Sequence, residues 1–205
     1  MAAGDLNGDG KPEIVTTHLF EAAVAVLRNL TVTPVRLIDA VSRKVQGSAT
    51  FDVDLSIGNA IECRSGGSNG DYTLVFKFAN PLASVGGASV TSGTGTVRSN
   101  AIGADAHEYI VNLTGVTNAQ TITVSLNNIT DSLGNFSSAA STSMSVLIGD
   151  TNADRSVDSA DISQVKSQSG NAVNSSNFRE DLNGDGFIDS ADIGFVKSKS
   201  GTALP

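Results

Sequence analysis

Two stretches of this chain place aspartate and asparagine at alternate positions, a pattern suited to holding a hard cation. GDTNADRSVDSADISQVKSQSG begins at Gly149 and EDLNGDGFIDSADIGFVKSKSG at Glu180, and the two align almost residue for residue. Each opens with D-x-N-x-D and carries another Asp at the twelfth position of the loop. Calcium takes roughly six to eight oxygen ligands, and a tight twelve-residue loop supplies them at alternate positions plus the last. In the first loop the candidates are Asp150, Asn152, Asp154, the Ser156 carbonyl, Asp158 (directly or through water) and Asp161. In the second they are Asp181, Asn183, Asp185, the Phe187 carbonyl, Asp189 and Asp192. Val157 and Ile188 fill the eighth position, where an apolar side chain points away from the ion into a small core. Solvated Asx turns could produce one such loop by chance. Two in register, each followed by the same apolar spacing, select calcium binding.

The loops differ at the sixth position, where the chain turns sharply and glycine is the least strained residue. Loop two has Gly186 there and loop one has Arg155. Loop one is therefore expected to bind more weakly, by roughly 1 kcal/mol of backbone strain.

The elements that hold the loops follow from the same repeat. S-A-D-I-x-x-V-K-S predicts a short helix after each loop, with Ser159 and Ser190 as N-caps and acids near the positive end of the dipole. Ile162 with Val165, and Ile193 with Val196, share one helical face, and Gly170 and Gly201 end the helices. The intervening NAVNSSNFRE is expected to carry a third short helix, with Phe178 in the core. So small a unit buries little apolar surface, which couples calcium binding to folding.

Residues 149–205 so arranged resemble the type I dockerin module, a tandem of EF-hand-like loop–helix motifs without the entering helix. The resemblance implies a calcium-dependent partner, the cohesin domain, in extracellular and often polysaccharide-degrading assemblies of bacteria. It also implies cohesin contacts at loop positions ten and eleven and on the following helix. These are Ser159, Ala160, Lys166 and Ser167 in the first repeat, and Ser190, Ala191, Lys197 and Ser198 in the second. The two sets are identical, which would permit binding in two orientations related by a two-fold axis. The final helical turns, SQSG and SKSG, lack the Leu-rich ending usual in dockerins, so the apolar contact surface is thinner.

A third Asp/Asn loop, GDLNGDGKPEIV over residues 4–15, is followed at once by an apolar strand. Its candidate ligands are Asp5, Asn7, Asp9, the Lys11 carbonyl and Glu13. Residues 1–30 resemble part of an FG-GAP/VCBS repeat, whose blades build calcium-bearing β-propellers, although Glu13 stands where Asp is usual. One incomplete blade cannot bury its faces, so this stretch reads as the end of a truncated propeller in a longer protein.

Between these ends, residues 34–148 alternate with period two. Phe51, Val53, Leu55 and Ile57 share a face, as do Leu74, Phe76 and Phe78, and Ile122, Val124 and Leu126; Met144, Val146 and Ile148 lead into the first loop. GGSNGD, ASVGGAS and TDSLGN separate the strands. The expectation is an antiparallel β-sandwich, and TITVSLNNITDSLGN resembles bacterial Ig-like domains. The fold class is thus mainly β: an Ig-like sandwich, a small helical calcium module after it and a propeller-blade fragment before it.

Catalysis finds little support in the sequence. Asp52, Asp54, Glu62, Asp71, Asp105 and Glu108 show no paired motif of the kind glycoside hydrolysis needs. His18 and His107 lie far apart, and Cys63, the only cysteine, has no nearby His and no disulfide partner within the chain. The net charge of −8 argues against nucleic acid and anionic membrane as partners, and no apolar run is long enough to insert into a membrane. With no Trp and only Tyr72 and Tyr109, the chain is poor in sugar-stacking platforms. The expectation is a non-catalytic, secreted or cell-surface protein that docks to a cohesin-like domain and whose export signal lies outside these residues. The alternatives are a calcium-rigidified adhesin stalk or end-cap without a cohesin partner, and a carbohydrate-binding accessory of a hydrolase.

Overall fold

A computed structural model describes the chain except for residues 9–10, 19–22, 30–31 and 57–59, so Asp9 and Ile57 lie outside the described residues. The chain divides into two compact units, Met1–Thr33 and Pro34–Pro205. In the first, β1 (Ala2–Gly4), β2 (Glu13–His18) and β3 (Ala23–Leu27) form an antiparallel sheet in that order. Val24, Val26 and Leu27 of β3 are exposed.

The second unit begins with β4 (Leu37–Gln46), β5 (Ala49–Asp54), β6 (Ile61–Glu62), β7 (Tyr72–Phe78), β8 (Leu82–Ser84), β9 (Gly87–Ser92), β10 (Thr96–Ile102), β11 (Glu108–Thr114), β12 (Gln120–Asp131) and β13 (Phe136–Val146). One antiparallel sheet has the order β10-β11-β7-β4-β5. The other runs β6-β13-β12-β8, with β9 also paired to β12, and its β6–β13 contact is parallel. Period-two alternation sends one face of each strand inward. Leu74, Phe76 and Phe78 of β7, Val111 and Leu113 of β11, Ile122, Val124 and Leu126 of β12, and Met144 and Val146 of β13 form one core shared by both sheets. The D-x-x-G-N turn joins β12 to β13. There Asp131 accepts from the Leu133 and Asn135 amides at 3.0 and 2.9 Å, and from the Asn80 and Asn135 side chains at 2.8 Å each.

Two helices complete this unit, α1 (Ser159–Gln168) and α2 (Ser190–Lys199). The expected serine caps are corrected by one residue. Asp158 and Asp189 are the N-caps, because each sits in extended backbone and its carboxylate accepts from the amide two residues on, Ala160 or Ala191. Asp161 and Asp192 complete reciprocal capping boxes. The third helix expected over 171–180 is absent. That segment forms hydrogen-bonded turns, with the Asn177 amide donating to the Asn174 carbonyl and the Glu180 amide to that of Asn177. Phe178, expected in the core of the helical module, instead stacks on Phe51 of β5 at 5.4 Å between ring centroids.

A second core crosses the junction at residue 148. Val157, Val165, Leu182, Ile188 and Val196 pack with Ile61, Cys63 and Leu147 from the strand side. The chain over 61–65 serves as a backbone template for this junction. The Glu62 and Cys63 carbonyls accept from the Leu147 and Gly149 amides at 3.1 and 2.9 Å, and the Ser65 amide donates to the Leu182 carbonyl at 2.8 Å. Among the described residues, no helix is long and apolar enough to cross a membrane.

Candidate metal centre

The two C-terminal loops share a common frame of hydrogen bonds, to which loop one adds the Thr151 and Ser156 hydroxyls and loop two the Gly184 amide. In loop one Asp150 accepts from the Asp154 and Arg155 amides at 3.1 and 2.9 Å; in loop two Asp181 accepts from Asp185 and Gly186 at 3.2 and 3.0 Å. The Asn152 side chain donates to Asp154, and Asn183 to Asp185, each at 2.9 Å. Asp161 accepts from Thr151 and Asp158, as Asp192 does from Leu182 and Asp189. Each loop thereby folds its first and twelfth carboxylates inward by main-chain donors, joined in loop one by the Thr151 hydroxyl, which donates to Asp161 at 3.3 Å. All four of these aspartates are fully buried.

Burial pushes the Asp150 carboxyl above the usual carboxylate range, and the charges of Asp161 and Asp154 add to that push against the Arg155 amide. Asp181 and Asp192 are also raised, mainly by burial. Asp154 is held low by the Ser156 hydroxyl and amide. Buried carboxylates raised in this way, next to others of the same sign, form a donor set that a divalent cation would relieve. Among the described residues no three His, Cys, Asp or Glu side chains form a group able to hold an ion. The four aspartates of each sequence-derived set are therefore not gathered around one point, and Asn152, Asn183 and two main-chain carbonyls are the remaining donors of those sets. Their chemistry, oxygen only and hard, fits calcium rather than a soft metal.

The loops part company in backbone strain. Arg155 adopts φ 79°, matching Gly186 at 98°, so the left-handed turn inferred at the sixth position is present in both. Ala153 is a second strained residue, at φ 62°, where loop two has Gly184 at 81°. Part of the strain at Arg155 is offset locally: its carbonyl accepts from the Leu204 amide at 3.0 Å and its guanidinium donates to the Pro205 carbonyl at 2.8 Å.

The tail after each helix closes on the other loop. Gly170 donates to the Ile188 carbonyl and Gly201 to that of Val157, both at 2.8 Å. Val157 and Ile188 are buried, as are Val165 and Val196 on the inner helical faces. The expected partner residues lie on the opposite side. Ser159, Ala160, Lys166, Ser167, Ser190, Ala191, Lys197 and Ser198 are all exposed.

Several side chains at the junction escaped sequence reasoning. Arg64 is fully buried and forms an ion pair with Glu62 at 2.7 Å, while Gln46 and Arg179 contact the main chain of the two loops. No sequence signal marked them, because each gains its role from a partner far along the chain.

In the N-terminal unit, Asp5 accepts from the Gly8 amide at 2.8 Å and Glu13 from the Leu6 amide at 2.9 Å. Glu13 is buried, and its other carboxylate oxygen has no hydrogen-bond partner among the described residues. A buried oxygen left over in this way fits a cation ligand.

The other chemistry-bearing residues are engaged structurally. Asp52 and Glu108 both bind Arg43, at 3.0 and 2.9 Å. Burial pushes the Cys63 thiol up to about 11, which leaves it protonated and inert at neutral pH. His107 is exposed and contacts Asp105. Tyr72 and Tyr109 are only 5% and 3% exposed, so neither offers a face for stacking a sugar.

Residues 148–199 match the family model of the dockerin type I domain, about a quarter of the chain, and this supports the dockerin resemblance for that segment. Dockerin domains are non-catalytic modules that bind calcium and dock onto cohesin domains. No curated protein and no solved structure matches the chain.

Proposed function

We propose that this chain is a calcium-dependent docking protein whose module at 149–205 binds a cohesin, carried on an Ig-like β-sandwich over 34–148. Calcium would be held in loop one by Asp150, Asn152, Asp154, the Ser156 carbonyl, Asp158 and Asp161. In loop two it would be held by Asp181, Asn183, Asp185, the Phe187 carbonyl, Asp189 and Asp192. A third ion would sit at the 5–13 loop of a propeller-blade fragment spanning 1–30. A bound ion would supply the positive charge that offsets the repulsion among these carboxylates.

The observation that carries this reading is the pairing of two loops on one common hydrogen-bond frame with two exposed sets of identical residues after them. Ser167 and Ser198 repeat even in detail, each hydroxyl donating at 2.7 Å to the carbonyl three residues earlier. Such a surface serves two binding orientations equally well. A secreted or cell-surface location, and a place in polysaccharide degradation, belong to this reading.

The test is capture of the full chain by immobilised cohesins, with calcium and with EGTA. Capture should require calcium, survive either Lys166→Ala or Lys197→Ala with a loss of a few-fold, and fail when both are changed. Binding that persists in EGTA, or that ignores the double change, overturns the reading. The core shared across residue 148 favours one alternative, a calcium-rigidified stalk. That alternative predicts calcium-dependent stability with no cohesin capture at all.

A further inference from the structure

We infer that Gln46 and Arg179 are positioning residues for the two calcium loops, so that the metal sites belong to the whole 34–205 unit rather than to the C-terminal repeat. The inference deepens the calcium reading above and rests on it.

Gln46 closes β4, and its side-chain amide donates to the Phe178 carbonyl at 2.8 Å and to the Asp181 carbonyl at 2.9 Å. Asp181 is the first residue of loop two, so this contact fixes the backbone that carries its buried carboxylate. The orientation of the Gln46 amide is dictated from behind. Its oxygen accepts from Arg64 at 3.0 Å, and a guanidinium can only donate, so both amide hydrogens must face the loop. Arg64 is locked in turn. Its remaining donors go to both Glu62 oxygens at 2.8 and 2.7 Å and to the carbonyls of Ser42 and Phe51 at 3.1 and 3.0 Å. A buried ion pair is weak evidence for stability but a good device for fixing one geometry, and here it aims an amide at a metal loop.

Loop one has its own clamp. Arg179 donates to the carbonyls of Asp150 and Thr151, at 3.0 and 2.9 Å, and to that of Ile61 in β6 at 3.0 Å. One guanidinium therefore ties the first two residues of loop one to a strand. The tip of loop two is pinned as well. The Gly47 amide donates to the Gly184 carbonyl at 3.3 Å, and a side chain at Gly186 would meet the Gly47 Cα at 2.7 Å. Glycine at 186 is thus required by the strand-side contact as well as by its left-handed φ, a second demand that Arg155 does not face.

The coupling must run in both directions. Residues that hold the loops open for calcium raise its affinity, and bound calcium stabilises the contacts those residues make. Calorimetric titration of the full chain tests the first direction. One loop at a time is silenced through an exposed ligand, Asp154→Ala or Asp185→Ala, and any signal from residues 5–13 is common to all variants. Gln46→Met keeps length while removing both donors. It should weaken the loop-two site by about tenfold, as expected for losing two buried hydrogen bonds, and leave the loop-one site within about twofold. Arg179→Met should do the opposite. A general loss of structure would weaken both sites together and is distinguished by that symmetry. Unchanged affinities in folded variants, or equal losses at both sites, overturn the inference while leaving the calcium reading intact. A wild-type chain that binds no calcium at 149–205 overturns both.

Amide exchange on the unaltered chain decides the matter if a variant fails to fold. Calcium should slow exchange at Gly47 and Ser65, strand-side amides that donate to loop two. No change at those two amides, with slowing inside the loop itself, overturns the coupling.

Discussion

At the residue scale, the loops show how a repeat can share its aspartates and differ in its strain. Ala153 and Arg155 both hold left-handed backbone that costs a non-glycine residue about 1 kcal/mol each, whereas loop two places glycine at both positions. Ala153→Gly is the cleaner relief, because Arg155 also anchors the C-terminal tail to Pro205. With loop two silenced, Ala153→Gly should tighten calcium at loop one by about fivefold in a calorimetric titration. Arg155→Gly should gain less than its strain predicts, since the tail contact is lost with the side chain. If Ala153→Gly leaves the affinity unchanged, the strain is not expressed in binding.

At the scale of elements, the connector between the repeats does different work from that expected of it. In place of the short helix expected over 171–180, Asn174 turns the chain by accepting from the Ser176 amide, and Asn177 turns it again by donating to the Ala172 carbonyl. Those turns deliver Phe178 to β5, where it stacks on Phe51 at an interplanar angle of 5° and lies 5.3 Å beneath the Arg64 guanidinium. Phe178→Ala should therefore destabilise the unit by about 1–2 kcal/mol, from the lost ring pair and cation–π contact together. Thermal unfolding in EDTA is the measurement, so that metal binding does not mask the loss. An unaltered midpoint would mean the ring contributes nothing to holding the module on the strands. The helices themselves were easier to read, because capping boxes and apolar spacing are written within ten residues; only the cap moved, from serine to the preceding aspartate.

At the scale of the whole molecule, residues 34–205 behave as one packed object around two cores and the polar network between them. Burial alone would push Glu62 up, but the Arg64 charge and the bonds from Arg64 and Ser42 outweigh it and hold the carboxyl below its ordinary range. A depressed carboxylate adds stability above its unfolded pKa of about 4.3, and that stability is lost as pH falls through the lower folded value. Acid unfolding should therefore steepen below about pH 4. Glu62→Gln should flatten that part of the profile while lowering stability at neutral pH by about 3–5 kcal/mol, because Arg64 is left buried without its countercharge. Denaturant titrations across pH, in calcium-free buffer, would show both effects; a profile unchanged by the substitution would deny Glu62 this role.

The sequence alone determined the paired Asp/Asn loops, their unequal sixth positions, the inward faces of the strands and the helices that follow each loop. All of these are set by residues within about a dozen positions of one another, where loop geometry and side-chain period act directly on the chain. The tertiary structure alone decided that the module's core is completed by Ile61, Cys63 and Leu147 from the strand side. It brought Gln46 to the carbonyl of Asp181, 135 residues away, and Ile61 to the guanidinium of Arg179 across 118. Those partners are main-chain carbonyls, which carry no residue identity, so nothing in the order of side chains announces which amide or guanidinium will find them. The pairing of β6 with β13 lays residues 61–65 beside the entry to loop one, and β4 between β5 and β7 ends at Gln46 beside loop two.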